Sequence, residues 1–183
     1  MPNFPSIDKG ERLASALAKF NTGVEKPLMQ LHEILMRSSD SPLSMAQREL
    51  IAAYVSGILS CNYCAGIHTR VAENFGINDG LMRELLEDID TADIDDSFKP
   101  ILHFVRKSTL TPSQVVPADS QAVFDAGWSE RGLYDALMVS CTFNFMNRLV
   151  DGIGLQVDPG QYADSADMLM GGYEQIIDKF GLK

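Results

Sequence analysis

Apolar residues recur at helical spacing along almost the whole chain. In the first run, positions 13, 16, 17 and 20 are apolar and would share one face of a helix. Alternating runs of Val, Ile and Thr, which are typical of strands, do not occur. The pattern therefore predicts an all-α fold, with helices over residues 13–20, 28–35, 45–59, 61–75, 79–86, 98–108, 118–126, 130–149 and 161–180.

Two helix boundaries follow from local signals. Ser44 and Gln47 have the spacing of a capping box, which predicts a helix start. Gly57 and Ser60 weaken the following helix and predict a break or kink near its end. If Ser60 is the N-cap of the next helix, Cys61 lies in the first turn of that helix.

Composition and charge describe one globular domain over residues 1–183, with 45% hydrophobic and 22% charged residues. The net charge of −10 and the absence of a Lys/Arg cluster argue against nucleic acids and anionic membranes as partners. No 18-residue apolar run is present, so no membrane span is expected. The first residues lack the features of a signal peptide, and we expect a cytoplasmic protein.

Two thiols and an imidazole fall within eight residues. Cys61, Cys64 and His68 are spaced i, i+3 and i+7, which places them on one face of a helix. A helix N-terminus and a neighbouring imidazolium both lower the pKa of a cysteine. Two thiols at this spacing can close a disulfide after one is oxidised, so the motif predicts a redox-active dithiol.

Two other interpretations of the cysteines stay open. They could be buried and inert, or they could form part of a structural zinc site. Zinc needs two ligands beyond the cysteines. His68 could supply one, and the fourth would have to come from residues that lack zinc-motif spacing: His32, His103, Glu49 or Cys141.

Glu49 lies twelve residues before Cys61, at the start of the preceding helix. If the chain kinks between the two helices, its carboxylate could turn towards the imidazole of His68. A carboxylate that holds an imidazole, which in turn accepts a thiol proton, is a sound general-base arrangement.

For the remaining cysteine, histidine and asparagine residues, the sequence predicts mainly structural roles. Cys141 has apolar neighbours and is interpreted as a small buried hydrophobe. His103 is expected in the core, and His32 and Glu33 on a helix surface, with a pocket-lining role as the alternative. Three polar residues of an otherwise apolar helix are expected to hydrogen-bond between helices or protomers: Asn144, Asn147 and Arg148.

The spacing of the thiol motif recurs at Asn144-x-x-Asn147-x-x-x-Asp151. This recurrence suggests two related helical halves, with the thiol motif at residues 44–76 and a second half at about 98–181. Coincidence explains it equally well.

Around Glu49 and the thiols, the chain resembles the AhpD-like (alkylhydroperoxidase D-like) family of the carboxymuconolactone decarboxylase superfamily. The matching pattern is Glu49, eleven residues, and then Cys61-x-x-Cys64-x-x-x-His68. The segment 73–77 resembles a helix ending of the family, and 143–151 resembles the Asn-Arg segment of its peroxidase-related branch. The resemblance covers roughly residues 28–155.

The resemblance implies an all-α hydroperoxide reductase that uses no metal or bound organic cofactor and forms homotrimers or hexamers. Cys64 would attack the peroxide, and Cys61 would resolve the resulting sulfenic acid as a disulfide. His68 and Glu49 would relay the proton. An external dithiol, carried by a lipoyl protein or a thioredoxin-like adaptor, would reduce the disulfide.

Tyr63 departs from the family, whose peroxidases often carry histidine immediately before the second cysteine. A phenol has an ordinary pKa of about 10 and is a poor base, which implies slower or redirected chemistry. Packing at a subunit contact is the other interpretation of Tyr63. Two further functions stay open, a decarboxylase-like lyase and a non-enzymatic oligomeric redox sensor.

Overall fold

The computed structural model describes residues 1–156 and 158–183. These residues form α-helices and two short 3-10 turns without any β-strand, so the predicted all-α fold is confirmed. The helices are α1 (Leu13–Phe20), α2 (Glu25–Arg37), α3 (Met45–Ile58), α4 (Asn62–Asn74), α5 (Leu81–Glu87), α6 (Lys99–Leu110), α7 (Pro117–Asp125), α8 (Glu130–Ile153), α9 (Tyr162–Met170) and α10 (Glu174–Phe180). None of the helices so described is long and apolar enough to span a membrane.

The start of α3 is the predicted capping box. The Ser44 hydroxyl accepts a hydrogen bond from the Gln47 amide over 3.1 Å, and the Gln47 side chain accepts one from the Ser44 amide over 2.9 Å. The predicted break after α3 is also present, but its cap differs from the prediction. Ser60 has a left-handed φ of +60°, and Cys61 is the N-cap of α4. Helix α4 therefore begins one residue later than predicted, because Ser60 belongs to the turn that ends α3 and is not the N-cap of α4.

The helix predicted over residues 161–180 is in fact two helices. Gly172 has a φ of +95°, a conformation that glycine adopts readily, and the chain turns there between α9 and α10. The carboxylate of Glu33 then accepts hydrogen bonds from the amides of Tyr173 and Glu174, over 2.5 and 3.2 Å. Glu33 therefore joins α2 to the start of α10, instead of serving only as a surface residue.

Helix α3 is the centre of the fold and packs against α4 and α8, while α9 covers α4. It is buried on all sides, as expected for a helix with few polar faces. Polar residues link it to α8, where Asn147 accepts a hydrogen bond from Ser56 over 3.0 Å. Asn144 donates to Thr109 of α6 over 3.2 Å, so the predicted hydrogen bonding between helices is confirmed for both asparagines.

The repeated spacing at residues 144–151 falls in the second half of α8, whereas Cys61 and His68 lie within the first turns of α4. The two sets therefore share their spacing but not their position within a helix.

Candidate functional site

The two cysteines of the motif meet at the start of α4. Cys61 is the N-cap and Cys64 is the third helical residue, and the two lie 3.4 Å apart. Both are buried, with Cys61 fully enclosed and Cys64 4% exposed. The structure therefore brings the predicted pair into contact and leaves both as free thiols.

The acidity of Cys64 runs against the sequence expectation. The hydrogen-bonding contact with the Cys61 side chain and the burial of the thiol raise its pKa well above the ordinary value. The nearby carboxylate of Asp151 acts in the same direction. The expectation of a lowered pKa at the helix N-terminus was therefore wrong, because the thiol is packed inside the protein. Cys64 needs a base before it can act as a nucleophile.

Glu49 and His68 are in direct contact. The Oε2 atom of Glu49 and the Nδ1 atom of His68 are 2.7 Å apart, and both side chains are buried. Because a carboxylate can only accept, Nδ1 carries the hydrogen, and the form of the ring that can act as a base presents an unprotonated Nε2. The break between α3 and α4 thus brings the two residues together as the relay arrangement requires. His68 lies one helical turn beyond Cys64 on the same face of α4.

The Glu49 carboxylate is fully buried and still charged. Burial alone would raise its pKa, but the interactions with His68 and Arg37 outweigh burial and lower it. Arg37 donates to Oε1 of Glu49 over 2.6 Å, and the Tyr173 hydroxyl donates to the same oxygen over 3.3 Å. The Arg37 guanidinium also lies over the ring of Tyr173, 5.1 Å from its centroid. These contacts hold the carboxylate that orients His68.

Sequence reasoning missed Arg37 and Tyr173. Arg37 ends α2 and resembles any basic residue of a last helical turn, and Tyr173 lies 124 positions after Glu49. No short motif connects either residue to Glu49.

An apolar cavity of about 70 Å³ lies beside the thiols. Cys64 and His68 line it, whereas Cys61 does not. His32 also lines it and is buried, so its expected place on a helix surface was wrong and the pocket-lining alternative was correct. The rest of the wall is mainly apolar and includes Leu17, Met29, Ile67, Phe143, Met146, Leu169 and Ile176.

Tyr63 is an internal packing residue in the structure. Its hydroxyl accepts a hydrogen bond from the Leu13 amide over 2.8 Å and so fixes the start of α1 at the cavity wall. Burial raises the pKa of Tyr63 to about 12, which removes it as a base near neutral pH.

Two other sequence predictions were wrong. Cys141 is exposed on α8, because the apolar residues around it in sequence point to other faces of the helix. His103 is 48% exposed and contacts Asp90 over 2.7 Å, so it is not a core histidine. Among residues 1–156 and 158–183, no three His, Cys, Asp or Glu side chains group as metal ligands.

A known protein family matches the segment of the chain that carries the thiol motif. Residues 23–95 match the model of the Carboxymuconolactone decarboxylase family. They contain Glu49, Cys61, Cys64 and His68. Together with the structural matches below, this match supports the AhpD-like assignment. The chain is therefore similar to the AhpD-like proteins of the carboxymuconolactone decarboxylase superfamily.

Two solved structures share the fold. A crystal structure of an uncharacterized peroxidase-related protein from Silicibacter sp. TM1040 aligns with a TM-score of 0.68 at 26% identity, covering 75% of this chain and 71% of that one. An AhpD core structure, an uncharacterized peroxidase-related protein from Ralstonia eutropha JMP134, aligns with a TM-score of 0.69 at 22% identity, covering 75% and 72%. No curated protein matches the chain.

Proposed function

We propose that this AhpD-like protein is a thiol-dependent hydroperoxide reductase. The observation that carries the proposal is the contact between Cys61 and Cys64, 3.4 Å apart, one helical turn from an imidazole that a buried carboxylate holds. Such an arrangement combines a nucleophile, a resolving thiol and a base.

In the first step, His68 Nε2 accepts the proton of the Cys64 thiol. The thiolate sulfur bonds to the terminal oxygen of the hydroperoxide, and the O–O bond breaks. The leaving alkoxide takes the proton back from His68 and departs as an alcohol. Cys64 is then a sulfenic acid. The raised pKa of Cys64 makes this proton transfer necessary, and the negative charge of Glu49 stabilises the imidazolium formed.

In the second step, the Cys61 sulfur attacks the sulfenic sulfur of Cys64. Hydroxide leaves with the Cys61 proton as water, and a Cys61–Cys64 disulfide remains. An external dithiol, from a lipoyl group or a thioredoxin-like protein, reduces the disulfide and becomes a disulfide itself. The order of roles is supported by the cavity, because Cys64 lines it and Cys61 lies behind it.

The cavity supports an apolar substrate. Its wall consists largely of Leu, Ile, Met and Phe side chains, and Arg12, which also lines it, is already paired with Asp164 over 3.0 Å. A charged substrate would therefore lose hydration there with little compensation. Small alkyl or aryl hydroperoxides fit this chemistry.

The test is consumption of cumene hydroperoxide with dithiothreitol as reductant. We expect Cys64→Ser and Cys61→Ser to abolish turnover and His68→Ala to lower it at least a hundredfold, in line with the loss of a general base. Cys141→Ser is the matched control, because this thiol is exposed on α8, and it should retain full turnover. Full activity in Cys64→Ser would refute the proposal.

A further inference from the structure

A second imidazole lies at the cavity and has no part in the relay of Glu49 and His68. His32, on α2, is 3% exposed and lines the same cavity as Cys64 and His68. Both imidazoles contact the ring of Phe143 edge-on, with centroids 5.9 Å away for His32 and 4.5 Å away for His68. The two imidazoles therefore pack against one aromatic ring at a single cavity.

One hydrogen bond fixes the tautomer of His32. Its Nδ1 atom lies 2.7 Å from the carbonyl oxygen of Leu28, one turn earlier in α2. A carbonyl oxygen can only accept, so Nδ1 carries the hydrogen and Nε2 has a free lone pair. The ring makes no other hydrogen bond within residues 1–156 and 158–183. Tyr173 packs against it with centroids 5.3 Å apart, which leaves the ring little freedom to rotate.

His32 stays neutral at physiological pH. Burial lowers its pKa to about 4, and the nearby imidazole of His68 contributes in the same direction. A neutral imidazole in this tautomer is an acceptor and not a proton donor at Nε2. His32 and His68 therefore differ in surroundings, and such a difference is a common way for two titratable groups of one site to take separate roles, here acceptor and base.

One other polar side chain of the cavity wall, Ser165, also has no hydrogen-bond partner in the part of the chain that the structure describes, but a hydroxyl oxygen is a weaker acceptor than the lone pair of a neutral imidazole. The Tyr63 hydroxyl already accepts from the Leu13 amide, and Nε2 of His68 is engaged with the Cys64 proton in the proposed reaction. A hydroperoxide in the cavity carries one hydrogen-bond donor, the hydrogen on its terminal oxygen. In a largely apolar wall, that O–H needs an acceptor to replace the water that it loses.

We propose that Nε2 of His32 accepts the hydrogen bond of the hydroperoxide O–H and so holds the terminal oxygen towards Cys64. The inference rests on the proposed reductase function. When the Cys64 sulfur bonds to that oxygen and the O–O bond breaks, the hydrogen stays on the oxygen. The resulting sulfenic acid still donates to His32, so His32 gains and loses no proton. His68 alone returns the thiol proton to the leaving alkoxide.

The test compares two oxidants in a single turnover without external dithiol. Cumene hydroperoxide carries the O–H group, whereas diamide oxidises the same dithiol without one. The variants are His32→Phe, which keeps a packed ring but has no acceptor, and His32→Gln, which places an amide oxygen near the position of Nε2. All are made in the Cys141→Ser chain, and disulfide formation is followed by mass spectrometry after rapid alkylation.

We expect His32→Phe to react about tenfold more slowly with cumene hydroperoxide, the effect of one lost hydrogen bond, and at the unchanged rate with diamide. His32→Gln should stay within about threefold of the parent with both oxidants, since an acceptor is retained. An unchanged hydroperoxide rate in His32→Phe would overturn the inference. An equal slowing with both oxidants would overturn it too, because His32 would then only support the dithiol.

The result for the parent chain separates this inference from the proposed function. If diamide forms the Cys61–Cys64 disulfide in the parent and cumene hydroperoxide does not, the reductase function is wrong and the role of His32 falls with it. If the parent reacts with both and His32→Phe matches it, only the role of His32 is wrong. Should His32→Phe not fold, His32→Leu decides by the same comparison.

Discussion

Glu49 accepts the Nδ1–H of His68 over 2.7 Å at a point where the Glu49 side chain is completely buried. A buried carboxylate is stable only when opposite charge and hydrogen bonds compensate for its lost hydration. Arg37 provides the opposite charge, and the tautomer of His68 follows from the contact. One buried anion thus connects the stability of the fold to the orientation of the proposed base.

Replacing Glu49 should therefore change both stability and reactivity. We expect Glu49→Gln to lower the free energy of unfolding by roughly 3 kcal/mol, because Arg37 keeps a buried charge without its partner. We also expect at least a tenfold fall in the rate of dithiol oxidation by cumene hydroperoxide, because the imidazolium loses its counter-charge. Urea unfolding and rapid-mixing oxidation measure the two effects.

Glu87→Gln is the control for the Glu49 variant, since Glu87 is exposed on α5 and should be neutral in both measurements. Loss of stability in Glu49→Gln with an unchanged oxidation rate would show that Glu49 supports the fold alone.

His32 should make stability depend on pH in a defined window. Its pKa is about 4 in the folded protein and 6.5 when unperturbed, so between these values the unfolded chain binds more protons. The free energy of unfolding should accordingly fall as the pH is lowered from 6.5 to 4, by at most about 3 kcal/mol. Glu49, whose folded pKa is lowered, adds a loss of the same sign at more acidic pH.

Urea unfolding at several pH values from 7.5 to 4.5 checks the His32 window. The dependence on pH should be shallower in His32→Phe, which has no titrating group at this position. Identical slopes in the parent and the variant would show that His32 does not control stability here.

Gly66 should reject a side chain in spite of its position inside a helix. A Cβ atom there would collide with the ring of Tyr162, which packs on α4 from the start of α9. We expect Gly66→Ala to lower the free energy of unfolding by about 1–3 kcal/mol, the usual cost of overpacking. In a Tyr162→Ala chain, the same substitution should raise it by up to about 1 kcal/mol through helix propensity. Thermal unfolding of the four chains checks the sign change, and a loss in both backgrounds would contradict the role of Tyr162.

Two buried serines should respond oppositely to alanine. Ser165 Oγ has no hydrogen-bond partner in the part of the chain that the structure describes, and Ser56 Oγ donates to Ala52 O over 2.7 Å. We expect Ser165→Ala to raise the free energy of unfolding by about 1 kcal/mol and Ser56→Ala to lower it by a similar amount. Urea unfolding measures both variants. Destabilisation of similar size in both would mean that the Ser165 hydroxyl has a partner after all.

Local information in the sequence predicted most of the helices and the dithiol. Helical periodicity needs only neighbouring residues, and the capping box at Ser44 and the break before Cys61 are short-range signals. The thiols meet because they lie three positions apart in the chain, about one helical turn. The contact between Glu49 and His68 was also foreseeable, since it joins two consecutive helices across one turn.

Tertiary packing decided what the sequence could not predict. The pKa of Cys64 moved opposite to expectation because burial and Cys61, instead of the helix end, dominate its surroundings. His32 faces the cavity because α10 and α8 bring Tyr173 and Phe143 against it, which no local pattern on α2 records. Cys141 was misplaced for the same reason, since only packing selects the buried face of α8.

The cavity is built from two unequal parts of the chain. Cys64, His68 and His32 line it and lie within residues 23–95, the segment that matches the family model. Much of the remaining wall, including Phe143, Leu169 and Ile176, comes from α8, α9 and α10, outside that segment. In evolutionary terms, substitutions in the last third of the chain can reshape the cavity while the proposed reacting groups stay unchanged. Relatives that share the thiol motif are therefore free to diverge in selectivity.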